Sequence, residues 1–388
     1  MSIESITLGC RLNFAESETI ARSAPPGEDW IVINSCAVTN EAVRQTRQAI
    51  RRAHRQRPSA RILVTGCAAE LEPATFATMA GVSRVVGNAR KLNSLAVNDV
   101  MPPVPAGFMG HVRSFVAVQT GCDHRCTFCS IWQARGPSVS LPFEAIREAI
   151  SREIDRGAKE IVLTGVDITD YDDGLGKLCQ RLLAAEPRLK RLRLSSLDSI
   201  EIDDALVELI AGERRLMPHF HLSLQSGDDM ILKRMRRRHS RSDAVRTVER
   251  IKAARSDVTI GADLIAGFPT ETEEMALNSL QLLEDCDVVA GHIFPFSPRP
   301  NTPAARMPQL ERNLVKARAS RLRDAAAARR SRWLDSLVGT TQPVLIESGG
   351  KGHSDNFAPV TIEGAARGQT GQAHIVSRND DNPTAVWA

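Results

Sequence analysis

Three cysteines, Cys122, Cys126 and Cys129, stand at the spacing CxxxCxxC in the stretch "QTGCDHRCTFCSIW". Iron–sulfur clusters are held by thiolates, normally four to a 4Fe-4S cube, so three close thiols leave one iron open. An open iron binds the amino and carboxylate groups of S-adenosylmethionine, sets its sulfonium beside the cluster and passes on one electron, which cleaves it to a 5′-deoxyadenosyl radical. Two other chemistries use the same residues: structural zinc, with a fourth ligand from Cys179, Cys286 or His124, and a thiol redox pair made of Cys126 and Cys129. The spacing favours the radical chemistry over both. Phe128 and Trp132 flank the loop, where they either shield a cluster or simply pack.

A second set of thiols is spread along the first seventy residues. Cys10, Cys36 and Cys67 each directly follow a short apolar run, in "SITLGC", "WIVINSC" and "RILVTGC". Helical patterns such as "EAVRQTRQAIRRAHRQ" separate these runs, which is the rhythm of βαβ units and a parallel sheet. The carboxyl ends of parallel strands form the crevice where ligands sit, so three thiols distant in sequence are expected to converge on one edge. The alternative is three unrelated small buried residues. Three equivalent positions favour a shared site.

The elements that must carry these cysteines can be read from the rest of the chain. At 388 residues and 42% apolar content it has material for two or three cores of ordinary size. The expected fold class is α/β, with an N-terminal open parallel sheet over 1–97 and a proline- and glycine-broken linker over 98–113. A partial barrel of six β/α steps is expected over 114–308, with functional groups at the strand carboxyl ends and the Cys122 loop after the first strand. A basic connecting helix at 309–338 precedes a small β-barrel at 339–388. The first residues lack a basic n-region and an apolar h-region, and no apolar run approaches the length of a membrane span, so a cytoplasmic chain with no membrane partner is expected. In a reducing compartment eight cysteines are metal ligands, catalytic groups or buried small residues rather than disulfide partners. Cys179 in "GKLCQRLL" and Cys286 in "LEDCDVV" read as core. The net charge of +4 is modest, yet "VRQTRQAIRRAHRQR", "KRMRRRHSR" and "ARASRLRDAAAARRSR" make local basic faces suited to a polyanion or simply to solvent.

With these motifs in place the chain resembles the radical S-adenosylmethionine methylthiotransferases over nearly its whole length. The resemblance rests on the cysteine triplet together with "TLGCRLNFAESE", "VINSCAVTNEA", "VTGCAAE", "SLQSGDDMILKRMRRRHSR", "GADLIAGFPTETEEM" and "FPFSPRPNTPAARMP", in order. Within the family it is most similar to the branch acting on N6-threonylcarbamoyladenosine next to the tRNA anticodon, and "ESGGKGHSDNFAPVTIEG" is similar to the terminal TRAM module, a small RNA-binding β-barrel. Two departures touch the lining of the site rather than its ligands: "CSIWQARG" after Cys129, and Ser223 where some relatives carry proline. The resemblance implies a second 4Fe-4S cluster on Cys10, Cys36 and Cys67. It also implies two S-adenosylmethionines per turnover: one methylates a sulfur held at that cluster, and one yields the radical that takes hydrogen from carbon-2 of the adenine. That C–H is neither acidic nor electrophilic enough for acid–base or metal-hydroxide chemistry. The implied partners are tRNA and an electron donor of flavodoxin or ferredoxin type; nothing in the sequence names the sulfur donor. The same chemistry on another tRNA adenosine or a ribosomal-protein side chain, and a non-enzymatic metal-bearing RNA-binding module, stand as alternatives.

Candidate cofactor contacts lie in loops after later strands, at Gly165 and Asp167 in "LTGVD" and at Gly267 and Glu271 in "AGFPTET". There glycine allows close backbone approach and a carboxylate reaches a ribose or an ammonium, although such loops are often only tight turns. For RNA, the helix at 41–57 and the basic helix before the terminal barrel are expected to meet phosphates. His353, Asn356 and Phe357 are candidates to face unpaired bases, with Phe357 alternatively a barrel-core residue.

Overall fold

A computed structural model describes residues 3–23, 29–95, 104–107 and 111–388; most of the expected linker, 98–103 and 108–110, lies outside them. The strands Glu4–Thr7, Trp30–Ser35, Arg61–Gly66 and Val82–Val85 form a four-stranded parallel sheet in that order. All six residues of Trp30–Ser35 are buried, as a central strand covered on both faces requires. Helix Asn40–Gln56 covers one face with Val43, Thr46, Ile50 and Ala53 and leaves its arginines outside, its start fixed by Thr39 accepting from the Ala42 N–H at 3.1 Å.

Six parallel strand positions follow, at Arg113–Ala117, Glu160–Thr164, Leu192–Leu197, His219–Gln225, Thr259–Ala266 and Val288–Pro295, the third interrupted at Ser195. Alternation along each strand sends one set of side chains outward into the apolar layer under the helices. Phe220, Leu222 and Leu224, for example, join Ile260, Ala262, Leu264 and Ala266 there. The other set lines the lumen of an open barrel. Cys179 and Cys286 are fully buried in the outer apolar layer, as their sequence pattern implies. Helix Arg312–Leu337 packs on the last strand, and the chain ends in a closed five-stranded barrel built on Val344, Ile346, Val360, Ile362, Ala373, Ile375 and Ala385. Among the described residues no helix is long and apolar enough to cross a membrane.

The terminal barrel corrects one expectation. His353, Asn356 and Phe357 do not present themselves to bases; they fasten this barrel to the amino ends of the central strands. The Phe357 ring, held at φ 73°, stacks between His219 and His353 at centroid distances of 5.0 and 4.5 Å. The guanidiniums of Arg193 and Arg113 lie 4.8 and 5.1 Å from its centroid. The Asn356 carbonyl accepts from Thr259 Oγ1 at 2.7 Å, and Asp355 pairs with Arg191. Phe357 is also absent from the barrel's own apolar core, so neither sequence reading of it holds. Phe357→Ala is expected to lower unfolding stability by roughly 2–4 kcal/mol through lost packing and two lost cation–π contacts. It should also release the terminal barrel to proteolysis, which a thermal melt and limited digestion together would read; an unchanged melt and digest would contradict the docking role.

Candidate active site

The CxxxCxxC loop is held by its ends. Gln119–Thr120 pairs antiparallel with Val139–Ser140, and the Cys122 N–H donates to the Gly136 carbonyl at 3.1 Å. Gly121 sits at φ 77°, where a Cβ would lie 1.7 Å from the Pro137 carbonyl oxygen, so only glycine closes the loop this tightly. Within it Arg125 takes φ 50°, and its guanidinium lies 5.7 Å from the Trp132 ring. Phe128 packs against a buried cluster of Ile231, Met235, Phe268 and Ala304.

The three thiols differ. Burial pushes Cys122 up to about 11 and Cys129 up to about 12. Burial acts on Cys126 in the same direction, but His124 and then Arg237, whose Nη1 is 3.7 Å from the sulfur, outweigh it and lower this thiol below its ordinary value. His124 is half enclosed by acids, 2.9 Å from Asp167, 3.3 Å from Asp198 and 3.5 Å from Glu201. Asp198 also takes an ion pair from Arg237 at 2.8 Å. Of the four expected cofactor contacts, Gly165 and Asp167 lie beside this loop. A Cβ on Gly165 would come 2.8 Å from the Gln119 carbonyl oxygen, and the Asp167 N–H donates to Gln119 Oε1 at 2.9 Å. Gly267 and Glu271 are placed differently. The buried Glu271 carboxylate accepts from the Gly267 N–H at 3.0 Å and pairs with Arg318 at 2.9 Å, both through Oε2, so it also fastens the long helix.

Cys10, Cys36 and Cys67 converge as the strand ends imply. Gly9, at φ 101°, is packed so closely on Cys36 that a Cβ would lie 2.7 Å from its Cβ and 2.9 Å from its sulfur. Burial pushes Cys36 up to about 11, and the fields of Cys67 and Cys10 add to the rise. Each of the two sheet edges thus gathers three free thiols with no fourth cysteine, and His124, the other zinc ligand offered by the sequence, has both ring nitrogens on the acids Asp167, Asp198 and Glu201.

The two edges meet. Ser130 Oγ, next to Cys129, lies 3.4 Å from the carbonyl of Ala37, next to Cys36, and Ala134 packs into the N-terminal core with Ala37, Cys67 and Ala68. Arg135, fully enclosed, donates to Glu16 at 2.9 Å and to Asn13 Oδ1 at 2.6 Å, while Lys91 also pairs with Glu16. Arg135 belongs to "CSIWQARG", so the departure noted in the sequence carries the joint between the two cysteine sets. From the other side, Arg299 and Asn40 hydrogen-bond, the Asn40 N–H donates to Ser297 Oγ at 3.3 Å, and the Ala304 N–H donates to the Thr127 carbonyl at 3.0 Å. Asp198, Glu201, Arg237, Arg135 and Arg299 carry no distinguishing mark in the sequence; Asp198 alone has a positional one, directly after the strand Ser196–Leu197.

Comparison with known proteins agrees with this architecture. Residues 116–283 match the Radical SAM superfamily and residues 2–87 match "Uncharacterized protein family UPF0004". A structure of the radical S-adenosylmethionine methyltransferase TsrM from Kitasatospora setae, with cobalamin and a [4Fe-4S] cluster bound, shares the fold at a TM-score of 0.54. It is 15% identical in sequence, over 74% of this chain and 67% of that one. The fold and site therefore define a radical S-adenosylmethionine enzyme, a class that works with S-adenosylmethionine and a 4Fe-4S cluster. The threonylcarbamoyladenosine tRNA methylthiotransferase MtaB of Rickettsia prowazekii (strain Madrid E) is 43% identical over 96% of this chain and 94% of its own length. The protein of the same name from Thermotoga maritima is 34% identical over 88% and 85%. The chain belongs to the family of threonylcarbamoyladenosine tRNA methylthiotransferases.

Proposed function

We propose that this chain replaces the hydrogen on carbon-2 of N6-threonylcarbamoyladenosine, at position 37 beside the tRNA anticodon, with a methylthio group. The observation that carries the reading is the pair of three-thiol sites brought face to face by the segment Ser130–Arg135. Cys122, Cys126 and Cys129 would hold one cluster and Cys10, Cys36 and Cys67 the other. Bound there, the first would pass one electron from an external reductant to cleave S-adenosylmethionine and the second would seat the sulfur to be transferred, with two S-adenosylmethionines used per turnover. Gly165 gives the cofactor close access to the backbone beside the first set, and Asp167 orients it. Arg135, Glu16 and Lys91 keep the two edges in register and exclude water between them. Purified protein reconstituted anaerobically with iron and sulfide, then supplied with S-adenosylmethionine, dithionite and an anticodon stem-loop bearing threonylcarbamoyladenosine, should yield the 2-methylthio nucleoside by mass spectrometry. Full consumption of S-adenosylmethionine with an unaltered stem-loop would contradict the reading.

Docking of tRNA is assigned first to the N-terminal helix. Arg51, Arg52 and Arg55 are exposed, line a surface cleft of about 720 Å³ and form no ion pair with another described residue. By contrast Arg329 pairs with Asp287, Arg330 with Asp381 at 3.8 Å and Arg332 with Glu284 at 2.7 Å, so the connecting helix has less free charge to offer. Neutralising Arg51, Arg52 and Arg55 together should flatten the slope of log affinity for tRNA against log salt, by roughly one unit for each lost phosphate contact. An unchanged slope would place the RNA elsewhere.

A further inference from the structure

The inner wall of the central barrel carries a polar set that the proposed chemistry does not use. On the strands His219–Gln225, Thr259–Ala266 and Val288–Pro295 the outward residues fill the apolar layer, which turns His221, Asp263 and His292 into the lumen. His221 Nε2 lies 2.9 Å from Asp263 Oδ1, His292 Nδ1 lies 3.4 Å from the same oxygen, and the two imidazole centroids are 4.6 Å apart. The His292 side chain is 63% exposed although it points into a barrel, so the lumen has open space where complete barrels are packed with side chains.

Arg11, the residue after Cys10, reaches this space from the N-terminal domain. Its guanidinium lies 5.9 Å from the Phe115 ring on the first strand, within the fields of Arg193, Arg113, Glu160 and Asp263. Below it the charges are matched, since Arg113, Arg191 and Arg193 share Glu160, Glu347 and Asp355. Asp263 is taken by the two imidazoles. Of these side chains Arg11 alone forms no ion pair or hydrogen bond with another described residue, and the residue is exposed, so its guanidinium is open to an incoming anion. An unpaired guanidinium within the field of Asp263 also opposes a divalent cation at the histidines and favours a carboxylate, which it grips through two parallel N–H groups.

We infer that Arg11 and the His221–Asp263–His292 set form the receptor for the N6 side chain of the substrate adenosine. Arg11 pairs with the threonyl carboxylate, and the imidazoles meet its hydroxyl and carbamoyl groups. This rests on the function proposed above and adds to it the basis for rejecting adenosines with an apolar or absent N6 substituent. A site built to pair a charged group rejects a ligand lacking it far more strongly than an apolar pocket rejects a missing methylene.

The test is anaerobic binding of fluorescein-labelled anticodon stem-loops to the reconstituted holoenzyme, one carrying threonylcarbamoyladenosine and one unmodified adenosine. The wild type should prefer the modified loop by about tenfold to a hundredfold. Arg11→Met should bring that ratio close to one by weakening the modified loop alone, with Arg11→Lys recovering part of it. Because Arg11 adjoins Cys10, iron content is measured alongside, and His292→Ala, remote in sequence from both cysteine sets, should lower the ratio with iron unchanged. A wild-type ratio in both Arg11→Met and His292→Ala would overturn the receptor while leaving the proposed reaction intact. No preference in the wild type, with no methylthio product formed, would overturn both.

Discussion

Replacing Cys126 by Ala is expected to abolish reductive cleavage of S-adenosylmethionine. Each thiolate on the loop supplies one of the three protein ligands proposed for the cluster, and Cys126 is the one whose surroundings, His124 and Arg237, favour the ligating anion before iron arrives. Removing it leaves two thiols with raised pKa and a gap in the middle of the loop. The loop itself should survive, because it is closed by Gln119–Thr120 against Val139–Ser140 and by the Cys122 N–H on Gly136 rather than by the thiol. Anaerobic turnover with dithionite, followed by chromatography for 5′-deoxyadenosine, reads the outcome. Wild-type yield from this variant would mean that the triplet is not the radical site.

The second large effect separates the two cysteine sets. Changing Cys10, Cys36 and Cys67 together to Ala should leave roughly half the iron, because the central loop and its ligands belong to a different sheet edge. The variant should still form 5′-deoxyadenosine and should make no methylthiolated adenosine, since nothing remains to carry sulfur to the substrate radical. These thiols border a packed core, with Cys36 and Cys67 buried, so circular dichroism and the melting curve accompany the assay. A folded triple variant that still formed the methylthio nucleoside would reduce the strand-end cysteines to ordinary buried residues.

Much of this architecture is local and therefore legible in one dimension. Short apolar runs mark the parallel strands, and the thiols stand directly after them, so the convergence of Cys10, Cys36 and Cys67 follows from the geometry of parallel sheets. The six strand positions of the central barrel and the long helix Arg312–Leu337 are read in the same way. What the sequence hides is which charge meets which. Arg135 finds Glu16 across 119 positions and Arg191 finds Asp355 across 164, and no periodicity encodes such pairs. The same blindness made His353, Asn356 and Phe357 look like a base-binding face, because an aromatic residue in a polar turn reads alike whether it meets RNA or another domain. Nor does any periodicity reveal that Glu271 pairs with Arg318.

The most direct measurement of the central claim is a comparison of tRNA nucleosides from cells with and without the gene, by liquid chromatography and mass spectrometry. The account predicts that 2-methylthio-N6-threonylcarbamoyladenosine disappears in the deletion strain while N6-threonylcarbamoyladenosine accumulates in its place, and that the gene restores it but the Cys126→Ala form does not. An unchanged level of the methylthio nucleoside in the deletion strain would contradict it.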